Sequence, residues 1–367
     1  MKFAKITLSL LYTLIAVVCQ ANEATSAEPK AFNAGEMIIE HVTDAHELHF
    51  FTTGEGTPAE HHVSVPLPII LYDKENGGLK SFWSSAFHHA PNGVHEGYAM
   101  HHEKIYRTDA TGGISFDDKK HPTNSQPLDF SITKTVLGIF VVIAAMIAIL
   151  FSVANSYKRR KAQAPSGMQS VLEPLLVFIR DEIAKPSIGK KYERYMPYLL
   201  TVFFFIFLSN LLGLIPFIGG FNITGNIAVT LVLALCTFLF TAFTGNKNYW
   251  SHIFLPPGIP GWLLPLMIPI EILGLFTKPI VLTLRLFANI TAGHIIILSF
   301  ISLIFIFGSK YGAGAGIGVS VLSVAFSIFM NLMELLVAFL QAYVFTLLSA
   351  LYFGSAVDEH HHDTDIG

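Results

Sequence analysis

The sequence predicts an all-α membrane protein with about five transmembrane helices, one surface helix and a small exported domain. The chain has 367 residues, of which 52% are apolar and only 13% charged, whereas a soluble domain carries about 25% charge. Its apolar residues form continuous runs that approach or exceed the ~20 residues of a spanning helix. A β-barrel would instead show alternating segments of roughly ten residues. Soluble enzymes and nucleic-acid binders are therefore excluded.

Residues 1–22 resemble a secretory signal peptide. Lys2 and Lys5 precede a short apolar core over residues 6–18, which is the usual order of charge and hydrophobicity in such a segment. Two alternatives stay open, a lipoprotein signal ending at Cys19 and a short uncleaved anchor. If residues 1–22 are a signal peptide or a lipoprotein signal, the segment that follows is exported.

Residues 23–130 are expected to form an exported, acidic and histidine-rich extension. Between residues 31 and 130 there are fourteen Asp or Glu, six Lys or Arg, and eleven of the sixteen histidines. A run over 62–72 with a Pro-Leu-Pro break predicts short strands and turns. The histidines are interpreted mainly as a solvated surface, with metal binding and proton collection as alternatives; they include His61, His62, His88, His89, His95, His101 and His102.

The long apolar runs predict five spans and a single orientation. Residues 156–198, just after the first span, carry nine Lys or Arg against four Asp or Glu, which places this side in the cytoplasm. The N-terminus is then periplasmic, and the polar tail over 356–367 is cytoplasmic. The predicted spans lie within a membrane domain over 131–355, at about 134–155, 195–216, 225–244, 262–308 and 317–354.

Three further features concern the shape of this membrane domain. An amphipathic stretch over 167–184 is expected to lie along the cytoplasmic surface or against a partner. The last two spans predict long antiparallel helices joined by the glycine-rich segment 308–316. A 45-residue helix is about 68 Å long, over twice the ~30 Å hydrocarbon core, so strong tilt or a break is expected, with Pro279 as the natural break point.

A stripe of polar residues runs along the first of these long helices. Arg285 lies in an apolar stretch where insertion costs at least ~2.5–3.5 kcal/mol, so its partner must come from another helix, another subunit or a water-filled cavity. Glu271, Lys278 and Asn289 fall within about 80° of Arg285 on a helical projection, whereas His294 lies about 180° away. The helix therefore presents two different polar faces.

The final helix carries Glu334 and Gln341, which are seven residues apart and nearly eclipsed. Imidazole and carboxyl groups such as His294 and Glu334 exchange protons, and amide side chains hold water or relay hydrogen bonds. Together these groups favour a proton path through the membrane.

Each polar residue also has a purely structural interpretation. Arg285 could clamp two helices, and Glu271 could stabilise a helix dipole. Lys278 could reach the membrane interface, and this interpretation is favoured over a chemical role. Asn289 and Gln341 could form hydrogen bonds between helices. The combination is more specific for proton transfer than any single member.

These motifs closely resemble the a subunit of F-type ATP synthases over about residues 130–355. The central motif is Leu-Arg-Leu-Phe-Ala-Asn over 284–289, followed by Ala-Gly-His over 292–294. Other matching parts are Glu271, Thr277–Pro279, the segment 210–216 and Leu340–Tyr343. The long exported extension resembles one found in some bacterial lineages.

The resemblance implies a non-catalytic stator subunit of a bacterial inner membrane that needs no cofactor. Arg285 would face the carboxylates of the c-subunit ring, with Asn289 beside it. Asn289, His294, Glu334 and Gln341 would line the half-channel that opens outside, and Glu271 the other half-channel. The expected partners are the c-ring, the b-subunit stalk, other ATP synthase subunits and lipid, but no nucleic acid.

In some family members an acid occupies the position of His294 and a histidine that of Glu334, so this chain holds the pair exchanged. The order in which these two groups take up a proton is left open. Three other functions also stay open: a secondary transporter with a midplane site, a metalloenzyme using the exported histidines, and a structural anchor.

Overall fold

The computed structural model describes most of the chain after its first 32 residues. The described residues are 33–53, 61–74, 78–90, 93–109, 112–118, 121–159, 164, 165, 167–215, 220–254 and 260–357. The signal-peptide prediction over 1–22 and most of the predicted tail over 356–367 lie outside these residues.

The predicted exported segment folds into one helix, short strands and a second short helix. Among its described residues, the strand pairs are all antiparallel and form three small sheets with the orders β1-β2, β4-β3-β8 and β5-β6-β7. The prediction of strands over 62–72 is confirmed. The elements are α1 Ala34–Val42, β1 Glu47–Thr53, β2 His61–Pro66, β3 Pro68–Asp73, β4 Gly78–Trp83, α2 Ser85–His89, β5 Val94–His95, β6 Tyr98–His101, β7 Lys104–Arg107 and β8 Leu128–Asp129.

A small core with a buried ion pair holds this domain together. Ile69 and Leu71 of β3 are fully buried and pack with Tyr98 and neighbouring apolar side chains. The carboxylate of Asp73 accepts hydrogen bonds from Arg107 Nε at 2.7 Å and from the Tyr98 hydroxyl at 2.8 Å. Because the buried charge is paired and hydrogen-bonded, its burial is tolerated.

The rest of the described chain is helical, and five of its helical segments are long and apolar enough to span a membrane. The prediction of five spans is therefore confirmed, with boundaries that differ by a few residues. The helices are α3 Lys134–Arg159, α4 Met168–Phe178, α5 Lys185–Ile188, α6 Tyr192–Gly213, α7 Ile227–Thr244, α8 Lys247–Phe254, α9 Leu264–Tyr311 and α10 Ala313–Val357.

The two long helices are more continuous than the sequence suggested. No break occurs at Pro279, which lies inside the 48-residue helix α9. A proline removes one backbone hydrogen bond, and packing along the helix offsets that loss. The expected loop over 308–316 is also wrong in extent, since only Gly312, with φ 87°, separates α9 from α10.

The amphipathic stretch packs against the chain's own helices. It consists of α4, a π-helical turn over Ile179–Ala184 and α5. Ile179 and Ile183 are fully buried in the core that also contains Phe203 of α6 and Phe353 of α10. The predicted apolar face is thus covered within this chain, and α4–α5 brace the end of α10.

Candidate functional site

Arg285 lies on an exposed face of α9, one helical turn before Asn289, which is also exposed. Its neighbours Val281 and Leu284 are 42% and 50% exposed. Within the described residues, Arg285 forms no hydrogen bond and no salt bridge. A guanidinium stays charged under all ordinary conditions, so this apolar face carries a positive charge that the described part of the chain leaves without a counter-ion.

His294 and Glu334 meet between the two long helices. His294 Nδ1 lies 3.8 Å from Glu334 Oε1, and the Glu334 side chain is only 5% exposed. The second oxygen, Oε2, is buried without a hydrogen-bond partner in the described chain. Gly293 allows this approach, since a Cβ there would lie 2.9 Å from Glu334 Oε1. An imidazole and a carboxyl group at this separation can exchange a proton through one intervening water.

Gln341 and Asn210 extend the polar region away from this pair. Gln341 is buried, 8% exposed, two turns beyond Glu334 on the same face of α10. Asn210 of α6 donates to the backbone oxygen of Ala338 at 3.3 Å and accepts from the Thr224 hydroxyl. The sequence drew attention to Asn210 only through the family motif, because its partners come from other parts of the chain.

Lys278 and Glu271 occupy the other half of α9 and are not brought into contact with the His294 pair. The Lys278 ammonium lies 5.2 Å from the ring centre of Tyr352 in α10, close enough for a cation–π interaction. Glu271 is half-buried and lies fourteen residues, or about 21 Å, before Arg285. Tyr352 was missed by sequence reasoning, because its spacing gives no sign of this contact.

Sequence reasoning also missed a second group of polar residues, near the start of α3. Asn222, Asn226 and Lys134 line one cavity together with Asp44 of the domain that is predicted to be exported. The polar run Asn-Ile-Thr-Gly-Asn over 222–226 was the available signal. That this run lines a cavity depends on Asp44 and Lys134, which are distant from it in sequence.

The described residues contain no group of three or more His, Cys, Asp or Glu side chains that could hold a metal ion. His88 instead pairs with Glu47, with Nε2 and Oε2 2.9 Å apart. The rings of His101 and His102 contact each other edge to face, with their centres 4.2 Å apart. His46, which the sequence did not single out, is buried, and its Nε2 lies 2.9 Å from Asp129 Oδ2.

Known proteins match the chain in two separate parts. Residues 136–354 match the family described as ATP synthase A chain. Because this match covers more than half of the sequence, it decides the family. The chain belongs to the ATP synthase subunit a family. Residues 37–130 match a separate family described only as a domain of unknown function, DUF8433.

Several bacterial proteins named ATP synthase subunit a are similar to this family member. The protein of Chloroherpeton thalassium is 47% identical over 64% of this chain and 69% of its own length. That of Pelodictyon phaeoclathratiforme is 50% identical over 65% and 70% of the two chains. The Myxococcus xanthus protein is 44% identical over 65% and 77%.

Membership of the subunit a family gives the chain its general function. It is a multi-pass protein of the Fo membrane sector of a bacterial ATP synthase, where it acts as a proton-translocating stator subunit among other subunits. The secondary-transporter alternative is not favoured by this family. The predicted roles of Arg285, Asn289, His294, Glu334, Gln341 and Glu271 stay predictions.

Proposed function

We propose that Arg285 faces the carboxylates of the c-subunit ring and separates two offset proton half-channels. One half-channel opens outside and passes the His294–Glu334 pair, with Asn289 and Gln341 along it. The other opens to the cytoplasm near Glu271. A proton that enters from outside neutralises a c-subunit carboxylate, and the neutral group then travels through lipid during rotation.

The exposed charge of Arg285 is the observation that carries this proposal. A guanidinium on an apolar helix face needs a counter-ion, and a carboxylate from a partner subunit supplies one without requiring an internal acid. Because the guanidinium does not deprotonate, it attracts an ionised carboxylate and blocks direct proton passage between the half-channels. Proton flow therefore requires rotation of the ring.

The His294–Glu334 pair supplies the proton-exchanging step of the outer half-channel. Its burial between α9 and α10 keeps bulk water away, and Glu334 Oε2, which has no hydrogen-bond partner in the described chain, offers a site for a proton or a hydrogen-bonded water. Arg285 lies nine residues before His294, about 14 Å along the helix. A proton leaving the pair therefore needs polar groups such as Asn289 to reach the ring.

The domain organisation and topology form part of the same proposal. Residues 1–22 direct export, 23–130 form a periplasmic domain, 131–355 form the membrane domain and 356–367 form a cytoplasmic tail. The match of two different families on either side of residue 130 supports this division. The subunit itself is non-catalytic, with the b-subunit stalk as a further partner.

Replacement of Arg285 in the assembled complex tests the proposal. Arg285→Ala is expected to abolish ATP-driven proton pumping in membrane vesicles, because no fixed cation then holds the ring carboxylate. Passive leak should rise at the same time, since the barrier between the half-channels is removed. Arg285→Lys, which keeps the charge but not the guanidinium fork, serves as the matched variant. Unchanged coupled pumping by Arg285→Ala would contradict the proposed role.

A further inference from the structure

The exported domain forms one wall of a cavity of about 280 Å³ at the end of the bundle where α3 begins. We propose that this cavity is the outer vestibule of the proton pathway, and that the exported domain controls proton entry through Asp44. This inference rests on the topology proposed above. The polar lining includes Thr43, Asp44, Lys134, Asn222, Asn226 and Thr291.

The wall formed by the exported domain is fixed to the membrane helices. The Asp44 carboxylate accepts hydrogen bonds from the Thr133 hydroxyl at 2.8 Å and from the backbone N–H of Thr135 at 3.0 Å. The backbone N–H of Lys134 donates to the Ala45 carbonyl at 2.8 Å. These bonds satisfy free donors at the start of α3, so Asp44 holds a defined position at the cavity.

Packing contacts hold the same part of the domain in place. Helix α1, which ends at Val42, packs against α9. Leu48 of β1 is buried together with Val142 of α3 and with Phe221 and Ile223 of the loop before α7. The exported domain is therefore a structural part of the cavity, rather than a separate body tethered to the first span.

Asn222 gives the cavity a polar floor. It is only 7% exposed, and both its side-chain Oδ1 and Nδ2 are buried without a protein hydrogen-bond partner in the described chain. Buried amide groups are nearly always hydrogen-bonded to protein or water. The cavity that Asn222 lines has room for several waters, and water is the kind of partner left for this amide.

The cavity leads towards the His294–Glu334 pair. Thr291, which lines it, lies one helical turn before His294 on α9. A Cβ on Gly213 would lie 2.8 Å from the Phe221 carbonyl oxygen and 3.5 Å from His294 Nε2. The backbone just before Asn222 therefore comes close to the His294 ring. Protons that enter past Asp44 are therefore delivered next to the group that the proposed pathway requires.

Asp44 and Lys134 place opposite charges at this entrance. The Asp44 carboxylate has lone pairs beyond the two that accept hydrogen bonds, so it can attract a hydrated proton from the cavity side. A carboxylate at the edge of a cavity raises the local concentration of cations around it. The exported domain thus supplies the attractive charge, while Lys134 of the membrane domain opposes it.

A cysteine at position 43 tests whether the cavity lies on the path. Thr43 is exposed at the cavity and belongs to the exported domain. The parent chain for the assembled complex carries Cys19→Ala and Cys236→Ala. Thr43→Cys is modified from the outer face with methanethiosulfonate reagents of similar size, one cationic and one anionic. Proton conduction through Fo is measured before and after modification, in the same vesicles.

The cationic adduct is expected to slow proton conduction by about fivefold, the effect of one added charge at a narrow entrance. The anionic adduct should slow it less, because its charge attracts protons. Ser115→Cys, in an exposed part of the same domain outside the cavity lining, should give no effect after modification. Full modification of Thr43→Cys with unchanged conduction by both adducts would overturn the inference.

Asp44→Asn provides an independent measurement. It keeps an oxygen for the Thr135 N–H but removes the charge, so at low salt conduction from outside should be about fivefold slower than in the parent. At high salt the two rates should converge, because screening removes the advantage that the carboxylate gives the parent. Asp118→Asn, an exposed carboxylate elsewhere in the domain, is the matched control. A salt-independent loss would assign Asp44 a structural role only and overturn its role in proton entry.

The two proposals fail in different ways. If Arg285→Ala still pumps protons, the pathway itself is wrong. If Arg285→Ala stops pumping and the Thr43→Cys adducts have no effect, the half-channels stand and only the vestibule is refuted.

Discussion

Gly293→Ala tests the role of Glu334 without removing any functional group. Gly293 lies on α9, opposite Glu334 of α10. A Cβ at this position would meet Glu334 Oε1 at 2.9 Å and Cδ at 3.0 Å, whereas ordinary contact begins at 3.4 Å. The carboxyl group therefore moves by about 0.5 Å to reach ordinary contact, the difference between 3.4 and 2.9 Å.

This displacement is large enough to measure as a change in rate. A misplacement of about 1 Å costs on the order of 100-fold in a reaction that depends on alignment, so half of it corresponds to roughly tenfold slower proton transfer. Alanine is also the better helix former by about 1 kcal/mol. We therefore expect a folded subunit whose complex conducts protons about tenfold more slowly than the parent.

The assay is passive proton conduction through Fo in vesicles, with thermal unfolding of the purified complex measured in parallel. Gly318→Ala on α10 is the matched control, because a Cβ there meets no atom within 4 Å. Adding Glu334→Asp to Gly293→Ala shortens the acid and should recover part of the lost rate. Normal conduction by a stable Gly293→Ala complex would refute the placement of Glu334 on the pathway.

Two further predictions concern stability. Gly354→Ala would place a Cβ 1.9 Å from the Ser187 carbonyl oxygen, so α10 and α5 must separate at a cost of about 3 kcal/mol. The unfolding temperature of Gly354→Ala should therefore be lower than that of Gly318→Ala. Equal unfolding temperatures would contradict this prediction. Burial opposes the charged form of His46, but hydrogen bonds and charges of Asp129 and Glu103 raise its pKa from 6.5 to about 9. The protonated form of His46 therefore stabilises the fold by about 3 kcal/mol below pH 6.5, and this stabilisation is lost as the pH rises through 9. The difference in unfolding temperature between the parent and His46→Gln should shrink over that range. A constant difference would show that the proton on His46 does not contribute.

The sequence alone indicated most of the membrane architecture. Apolar runs marked all five spans because a spanning helix must cover its backbone with apolar side chains over a fixed length. The strand prediction over 62–72 was confirmed because its signals are local, namely a Pro-Leu-Pro break between short runs that contain β-branched residues. The break expected at Pro279 was wrong, because local helix propensity does not include the packing that keeps α9 continuous.

The polar residues of α9 could be found from their spacing, but their surroundings could not. The 3.6-residue period separated Arg285 from His294 onto opposite sides of one helix. It could not show that Tyr352 covers Lys278, or that Asn210 reaches Ala338, because these contacts join residues 74 and 128 positions apart in the chain. Only the folded bundle brings such residues together.

What the sequence by itself determined is the identity of the charged and polar groups, the helices that carry them and the family they indicate. What only the tertiary structure decided is which groups meet. The 3.8 Å approach of His294 and Glu334, and the cavity shared by Asp44 and Thr291, arise from helix packing. Helical periodicity acts between neighbours in sequence, whereas packing acts between surfaces that the sequence leaves far apart.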